Sequence, residues 1–336
     1  MAQESKTIRW GILSTAKIGV EKVIPGIQRS RTGRAVAIAS RGLERAEAAA
    51  NELGIDKAYG SYEELLADPD IDAIYNPLPN HMHVPLTLQA VEAGKHVLCE
   101  KPIALNADEA RQLLNLPKDR LVAEGFMVRA HPQWIRARDI VRSGALGDLR
   151  AIQSFFSYFN DDPGNIRNKP EIGGGALLDI GCYPMVTGRY FFEAEPKRVL
   201  SLIDRDPDFG TDRLSSAIMD FGNGRRLDFT VSTQLVPYQR VNLFGTKARL
   251  EIMIPFNAPQ GEEVTIRLDD GSGFADVSAK PETIGASDQY AELADVFGQA
   301  IQGKIDLPYG PADAVQNMAI LDAMFESEKA DGWVSL

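Results

Sequence analysis

The sequence predicts a parallel α/β domain, a doubly wound sheet covered on both faces, followed by an α+β domain with a large, mostly antiparallel open sheet. Three observations predict it. Up to about residue 128, short apolar runs alternate with amphipathic ones, the pattern of strands separated by helices. From 197 to 267 the texture changes to alternating runs that end in turn signals. The chain has 336 residues, enough for two domains.

The elements follow in order. Strands are expected over 7–14, 34–40, 71–76, 96–99 and 121–125, and helices over 18–30, 43–53, 61–67, 82–93 and 106–115. A first domain is thus expected over 1–128 and a second over 129–336. The second opens with a helix over 131–142 and a strand over 149–158. A polar loop, "FNDDPGNIRNKPEIGGG", precedes the apolar helix "ALLDIGCYPMVTGRYFF". Next come "RVLSLID", "LSSAIMDFGNG", "RLDFTVSTQL", "RVNLFGT" and "ARLEIMI", with Gly222-Asn223-Gly224 as a hairpin turn. A last helix, 311–329, fits against either domain.

Composition bounds the function. The net charge is −11, which argues against nucleic acid and anionic membranes as partners. Two cysteines, Cys99 and Cys182, sit in apolar segments, so a disulfide framework is not expected and a reducing, cytoplasmic setting is. MAQESKTIRW carries no signal-peptide pattern, and no run approaches the ~18 apolar residues of a membrane span. His81 and His83 are two apart, do not share a helix face and have no Cys or carboxylate cluster beside them, so no metal is expected.

A parallel sheet binds its ligand beyond the carboxyl ends of its strands. There "WGILSTAKIG" has the outline of a dinucleotide-binding turn, G-x-G-x-x-G, with Ser14, Thr15, Ala16, Lys17, Ile18 and Gly19 in the six places. By itself it reads equally as an ordinary strand-turn-helix. The second strand ends in Ser40-Arg41, where an NAD site would carry Asp or Glu on the ribose 2′-hydroxyl. A hydroxyl and a guanidinium suit a 2′-phosphate instead, which points to NADP. Pro77, Leu78 and Asn80 follow the 71–76 strand, and "LPNHMH", with His83, is expected against the nicotinamide ribose. "AGKHVLCEKP" brings Glu100 and Lys101 to the end of the next strand, where Pro102 holds Lys101 extended. "GGGALLDIGCYP" places Asp179 and Tyr183 four apart on one helix face, beside a kink expected at Pro184. A surface Glu-Lys pair and an ordinary core Asp-Tyr pair are the plain alternatives.

With these two motifs and their spacing the chain resembles the glucose–fructose oxidoreductase / inositol dehydrogenase (Gfo/Idh/MocA) family of NAD(P)-dependent oxidoreductases, over nearly its whole length. It is similar to the sugar-oxidising branch, which includes glucose–fructose oxidoreductase, aldose–aldose oxidoreductase, xylose dehydrogenase and dihydrodiol dehydrogenase. That branch carries Asp-x-x-x-Tyr, here Asp179 and Tyr183, and tolerates Ser in the turn. The resemblance implies a working Rossmann turn, a Lys101-Pro102 bond that is often cis, and Lys101, Asp179 and Tyr183 as catalytic residues. Arg129 and Arg167 are further expected at the cofactor, and His131 and Asn165 at the substrate with Lys101, Asp179 and Tyr183.

The expected reaction is hydride transfer from C1 of a cyclic aldose to NADP, giving a lactone, with Tyr183 taking the hydroxyl proton. Lys101 would favour its phenolate, and Asp179 would hold the substrate or Lys101. The cofactor either exchanges or stays bound while a second sugar is reduced. The alternatives are a trans-dihydrodiol dehydrogenase-like enzyme and a non-catalytic NADP or sugar sensor. The resemblance also implies a homodimer or dimer of dimers, joined through the uncovered face of the second domain's sheet.

Overall fold

A computed structural model describes residues 6–273 and 276–336. They pack into two compact units: residues 6–127 with 288–318, and residues 128–273 and 276–287 with 319–336.

The first unit is built on a six-stranded parallel sheet: β1 (Ile8–Leu13), β2 (Gly33–Ala39), β3 (Lys57–Tyr59), β4 (Ala73–Asn76), β5 (His96–Cys99) and β6 (Val122–Glu124). Their order is β3-β2-β1-β4-β5-β6, so the chain reverses direction across the sheet between β1 and β4. In a doubly wound sheet that switch point is the ligand crevice. Trp10, Ile12, Leu13, Ile38, Ile74 and Val97 are buried, as strands covered on both faces require. The connecting helices are α1 (Ile24–Arg29, entered through a π-helical turn, Gly19–Val23), α2 (Leu43–Leu53), α3 (Tyr62–Ala67), α4 (His83–Glu92) and α5 (Ala107–Arg111). α3 starts on a capping box. Ser61 Oγ accepts the Glu64 N–H at 3.2 Å, and Glu64 Oε2 accepts the Gly60 N–H at 3.2 Å.

Residues 288–310 depart from the sequence expectation, which placed 129–336 in the second domain and left only the last helix, 311–329, free to join either. They belong to the first unit because the helix Gln289–Ile301 packs on α1. A Cβ on Gly26 would meet Tyr290 Cβ at 2.6 Å, so only glycine lets the two helices approach this closely. Arg29 Nη2 pairs with Asp288 at 2.5 Å and Arg31 Nε with Asp295 at 2.7 Å, while the Phe297 ring lies 5.7 Å from Trp10. The final helix, Pro311–Ala330, gives its residues through Met318 to the first unit and the rest to the second.

The second unit carries a nine-stranded sheet. Its strands are β7 (Leu149–Phe159), β8 (Arg198–Arg205), β9 (Asp212–Gly222), β10 (Arg225–Ser232), β11 (Gln234–Gly245), β12 (Arg249–Ile252), β13 (Glu262–Asp269), β14 (Lys280–Ser287) and β15 (Val334–Ser335). The order is β14-β13-β12-β11-β7-β10-β9-β8-β15, antiparallel except for the β7–β10 pair. β9 and β10 join through Asn223 and Gly224, at φ 55° and 75°, the signs a two-residue hairpin turn needs. "RLDFTVSTQL", expected as one run, breaks at Thr233, between β10 and β11. Leu227, Phe229, Val231, Val241 and Leu243 are buried on one face, which α6 (Pro132–Arg142) and α7 (Cys182–Phe192) help to cover. The register puts Leu202, Ile218, Tyr238 and Phe244 together on the other face, all exposed, among Gln153, Asp228, Asn242 and Glu251.

Candidate active site

In the first unit the sequence-predicted residues gather at the carboxyl ends of β1, β2, β4 and β5. Ser14 leaves β1 at φ 90°, a backbone region that glycine enters freely and other residues rarely do. Its N–H donates to Ala39 O at 2.9 Å. The first place of the turn therefore has the glycine conformation without the glycine. Thr15 and Ala16 are half-buried, and the helix begins at Lys17, with the Val20 N–H donating to Ala16 O at 3.0 Å. The amides of that first turn have no partners within the helix, which suits a pyrophosphate. Lys17 points outward, 3.8 Å from Glu21, and Ile18 is partly exposed. A Cβ on Gly19 would make only ordinary contacts, 3.6 Å from Tyr75, so the place in this helix that admits no side chain is Gly26.

At the end of β2, Ser40 is buried with its N–H on Tyr59 O at 3.1 Å, and Arg41 is exposed. The strand end carries no carboxylate, so these residues fit a dinucleotide with a 2′-phosphate.

Several other expected cofactor contacts have partners within the protein. Pro77, Leu78 and Asn80 follow β4 as expected. His83, expected at the ribose, is 1% exposed, with Nδ1 2.7 Å from Pro102 O and Nε2 2.6 Å from Leu78 O. Burial pushes its pKa down to about 4, so at neutral pH the ring is uncharged and donates to one of the two carbonyls. It braces the loops after β4 and β5 from below. Glu100 Oε1 accepts the hydroxyl of buried Tyr75 at 2.7 Å, which holds the residue before Lys101. The Lys101–Pro102 bond is cis. Just beyond, buried Glu124 accepts the Ile103 N–H at 2.8 Å and the Asn317 amide at 2.7 Å.

The second unit holds a tighter cluster. Asp179 lies in a π-helical turn, Leu177–Gly181, that runs directly into α7, where Tyr183 and Pro184 follow. A π-helical turn thus precedes Pro184, beside which a kink was expected. Tyr183 is 5% exposed, its ring 5.8 Å from Phe156 and 5.3 Å from Phe256. Two groups converge on one oxygen of Asp179: Arg167 Nε donates to Oδ2 at 2.9 Å and Tyr158 Oη at 2.5 Å. Arg167, expected at the cofactor, thus lies on the Asp179 carboxylate, which raises its own pKa further. Tyr158 is pushed well up, first by burial and then by the Asp179 charge.

The glycine run makes this possible. A Cβ on Gly174 would lie 2.5 Å from Arg167 O, and one on Gly175, at φ 115°, would lie 1.9 Å from Asp212 Oδ1. Gly174 N–H donates to Lys169 O at 3.0 Å and Gly175 N–H to Arg167 O at 2.8 Å, so the loop is tied to the helix start. Asn165 Oδ1 accepts the Arg167 N–H at 3.0 Å and shapes the same loop. Arg129 is 8% exposed. His131, expected at the substrate, is fully buried, and its Nδ1 caps α6 by accepting the Gln133 N–H at 3.0 Å. Among the described residues, no three His, Cys, Asp or Glu side chains group to hold a metal.

Residues 8–124 match the oxidoreductase family with an NAD-binding Rossmann fold, and residues 134–251 match the GFO/IDH/MocA C-terminal domain. The chain belongs to the Gfo/Idh/MocA oxidoreductase family. It is 37% identical over 332 residues to D-xylose 1-dehydrogenase (NADP(+)) 2 of Haloferax volcanii, covering 97% of this chain and 99% of that one. Its structure is similar to the 3-ketoreductase KijD10 of Actinomadura kijaniata in complex with NADP and TDP-benzene (TM-score 0.88, 26% identity, 96% of this chain and 98% of that one). It is also similar to aldose–aldose oxidoreductase of Caulobacter crescentus complexed with glycerol (TM-score 0.88, 25% identity, 98% of this chain and all of that one). As a Gfo/Idh/MocA protein it is an NAD(P)-dependent oxidoreductase with sugar-related homologues.

Two site residues of this Gfo/Idh/MocA chain have no signal in the sequence motifs. One is Tyr158, near the end of β7. The other is Asp212, 2% exposed at the start of β9, whose Oδ2 accepts the Leu177 N–H at 2.6 Å and the Ser215 hydroxyl at 3.0 Å. Burial raises Asp212 to about 6 despite these bonds. A carboxyl with a raised pKa contributes stability that is present in acid and lost as pH rises through that value. From the size of the shift, the loss amounts to roughly 3 kcal/mol. Asp212→Asn keeps an acceptor for Leu177 and removes the titration. Its Tm should match the wild type near pH 4 and exceed it at pH 7.5. Thermal melts across that range decide it, and equal pH slopes for the two proteins would refute the assignment.

Proposed function

We propose that this protein is an NADP-dependent oxidoreductase that oxidises a cyclic aldose at C1 to its lactone. The observation that carries the reading is the Asp179–Tyr183 cluster: a buried phenol one turn from a carboxylate held by Arg167. The near full-length similarity to an NADP-dependent xylose dehydrogenase supports the substrate class. The similarity in structure to aldose–aldose oxidoreductase supports catalysis on a sugar over a non-catalytic sensor.

The bound nicotinamide supplies the hydride acceptor. The chain's task is to bind the sugar and move one proton. Tyr183 accepts the hydroxyl proton as the phenolate. A free tyrosine titrates near ~10, and lowering it by ~3 units takes about 4 kcal/mol. Arg167 supplies part of this, since its guanidinium and Tyr183 interact electrostatically. Phe156 and Phe256 fix the ring, so its oxygen needs no reorientation at the moment of transfer. Lys101 is proposed for the same chemistry on its Glu-Lys-Pro motif. Retention of NADP between turnovers, with reduction of a second sugar, is the coupled form of the same reaction. A cytoplasmic setting suits the two buried free thiols.

Adding aldose and NADP⁺ should raise the reduced-nicotinamide absorbance. Tyr183→Phe should slow that rise by roughly 10²-fold, the usual scale of acid–base catalysis, with NADP still bound. Protein that reduces NADP⁺ with a dihydrodiol and with no aldose would overturn the substrate class, and a near-normal rate in the variant would move the base elsewhere.

The cofactor preference rests on Ser40 and Arg41. Arg41→Asp places a carboxylate where the 2′-phosphate is proposed to lie. The ratio of NADP to NAD affinity should drop by at least about tenfold, or ~1.4 kcal/mol. Titration of both cofactors against both proteins measures it, and a wild type that already favours NAD refutes the proposal.

The uncovered sheet face is proposed as the subunit contact. Leu202, Ile218, Tyr238 and Phe244 lie there among paired polar residues, a mixed surface suited to an isologous dimer. Light scattering at micromolar concentration should give two or four times the 36.8 kDa of one chain; a single-chain mass would end this proposal.

A further inference from the structure

Tyr158 stands outside both sequence motifs, yet its hydroxyl donates to Asp179 Oδ2 at 2.5 Å. Arg167 Nε reaches the same oxygen at 2.9 Å. The two donors come from separate places. Tyr158 is rooted in β7, held by its pairing with β10 and β11, and Arg167 sits on the loop tied down by Gly174 and Gly175. A carboxylate gripped on one oxygen from two sides has its plane and its direction fixed. Hydrogen bonds from a phenol and a guanidinium to an ionised oxygen are the stronger, charge-assisted kind.

We propose that Tyr158 is a positioning residue, which with Arg167 locks Asp179 as an oriented anion one turn from Tyr183. The inference rests on the Asp179–Tyr183 reading above and adds the group that aims the carboxylate. Arg167 on the loop and Asp212 on β9 act electrostatically on Tyr158, and Tyr183 on α7 acts on Arg167. Asp212 raises Tyr158 further, so Tyr158 stays a neutral donor throughout the working range. Removing the Tyr158 hydroxyl withdraws a donor from the charged form of Asp179, so the carboxyl must titrate higher.

The test is Tyr158→Phe, which removes one oxygen and keeps the ring. In the intact protein, with NADP bound, the Asp179 carboxyl is followed by carbon NMR of labelled aspartate, assigned through Asp179→Asn. Its titration should move up by about one unit in Tyr158→Phe, the equivalent of losing a tenfold preference for the anion. The acid limb of kcat against pH should move with it, kcat should fall about tenfold, and NADP affinity should stay within about twofold. In an Asp179→Asn background the same substitution should change kcat by less than about twofold, because the partner it positions is gone.

A fall in kcat of equal size in both backgrounds would mean a merely structural role and overturn the proposal. So would an unmoved Asp179 titration. The titration is read without turnover: if the wild type oxidised no aldose while Tyr158→Phe still moved it, the substrate reading would fail and the positioning role would stand.

Discussion

The backbone of Gly174 and Gly175 lies against Arg167 O and Asp212 with no space for a side chain, and the Arg167–Asp179–Tyr158 cluster depends on this contact. Through it the amides of both glycines reach the 167–169 carbonyls, so the loop cannot drift from the helix that follows. Asp179 in turn donates its own N–H to Gly175 O at 3.1 Å. Arg167 and Asp179 are therefore placed by main chain before their side chains meet. An exposed ion pair loses side-chain entropy when it forms and contributes little. Here the backbone has already fixed both ends, and Tyr158 closes the third side.

The alternation of the first domain was legible because it has a local cause. Parallel strands buried on both faces read as short apolar runs, and the helices between them as amphipathic ones. The cluster at Asp179 and Tyr183 was legible through spacing. What escaped depends on contacts far apart in sequence. The helix Gln289–Ile301 has the apolar positions Tyr290, Ala294 and Phe297, which mark a helix but do not say which sheet it covers. That is decided by the missing side chain of Gly26 and by the Arg31–Asp295 pair, more than 250 residues apart. β3 is three half-buried residues at a sheet edge, too short to show a period. The parallel pairing of β7 with β10 leaves no mark on either strand.

Several polar residues that the sequence marked for a ligand are engaged within the protein. His83, His131, Asn165 and Glu100 all lie near the expected crevices, and each has a polar atom spent inside the protein. A side chain able to bind a ligand is also able to cap a helix or brace a loop, so residue type does not separate the two. The internal partners come from the fold: His83 and His131 are buried, Glu100 and Asn165 half-buried. One local signal was present: His131 immediately precedes Pro132, and proline at the first helical position marks its predecessor as a cap. Asp212 and Tyr158 had no such signal, since a strand residue shows nothing of the loop that folds over it.

Ser14 shows how the first unit resolves a conflict between local preference and function. A serine at φ 90° is strained by about 1 kcal/mol or more relative to glycine. Such strain persists only where the surroundings over-determine the backbone. Here the Ser14 N–H is fixed to Ala39 O on one side, and the helix from Lys17 fixes the chain on the other. A glycine would relieve the strain but would bring no hydroxyl to the mouth of the switch point. The turn keeps the conformation that the glycine motif requires and adds a donor where a phosphate would lie. At the first place the departure from the motif lies in the side chain, while the backbone takes the positive φ that glycine favours.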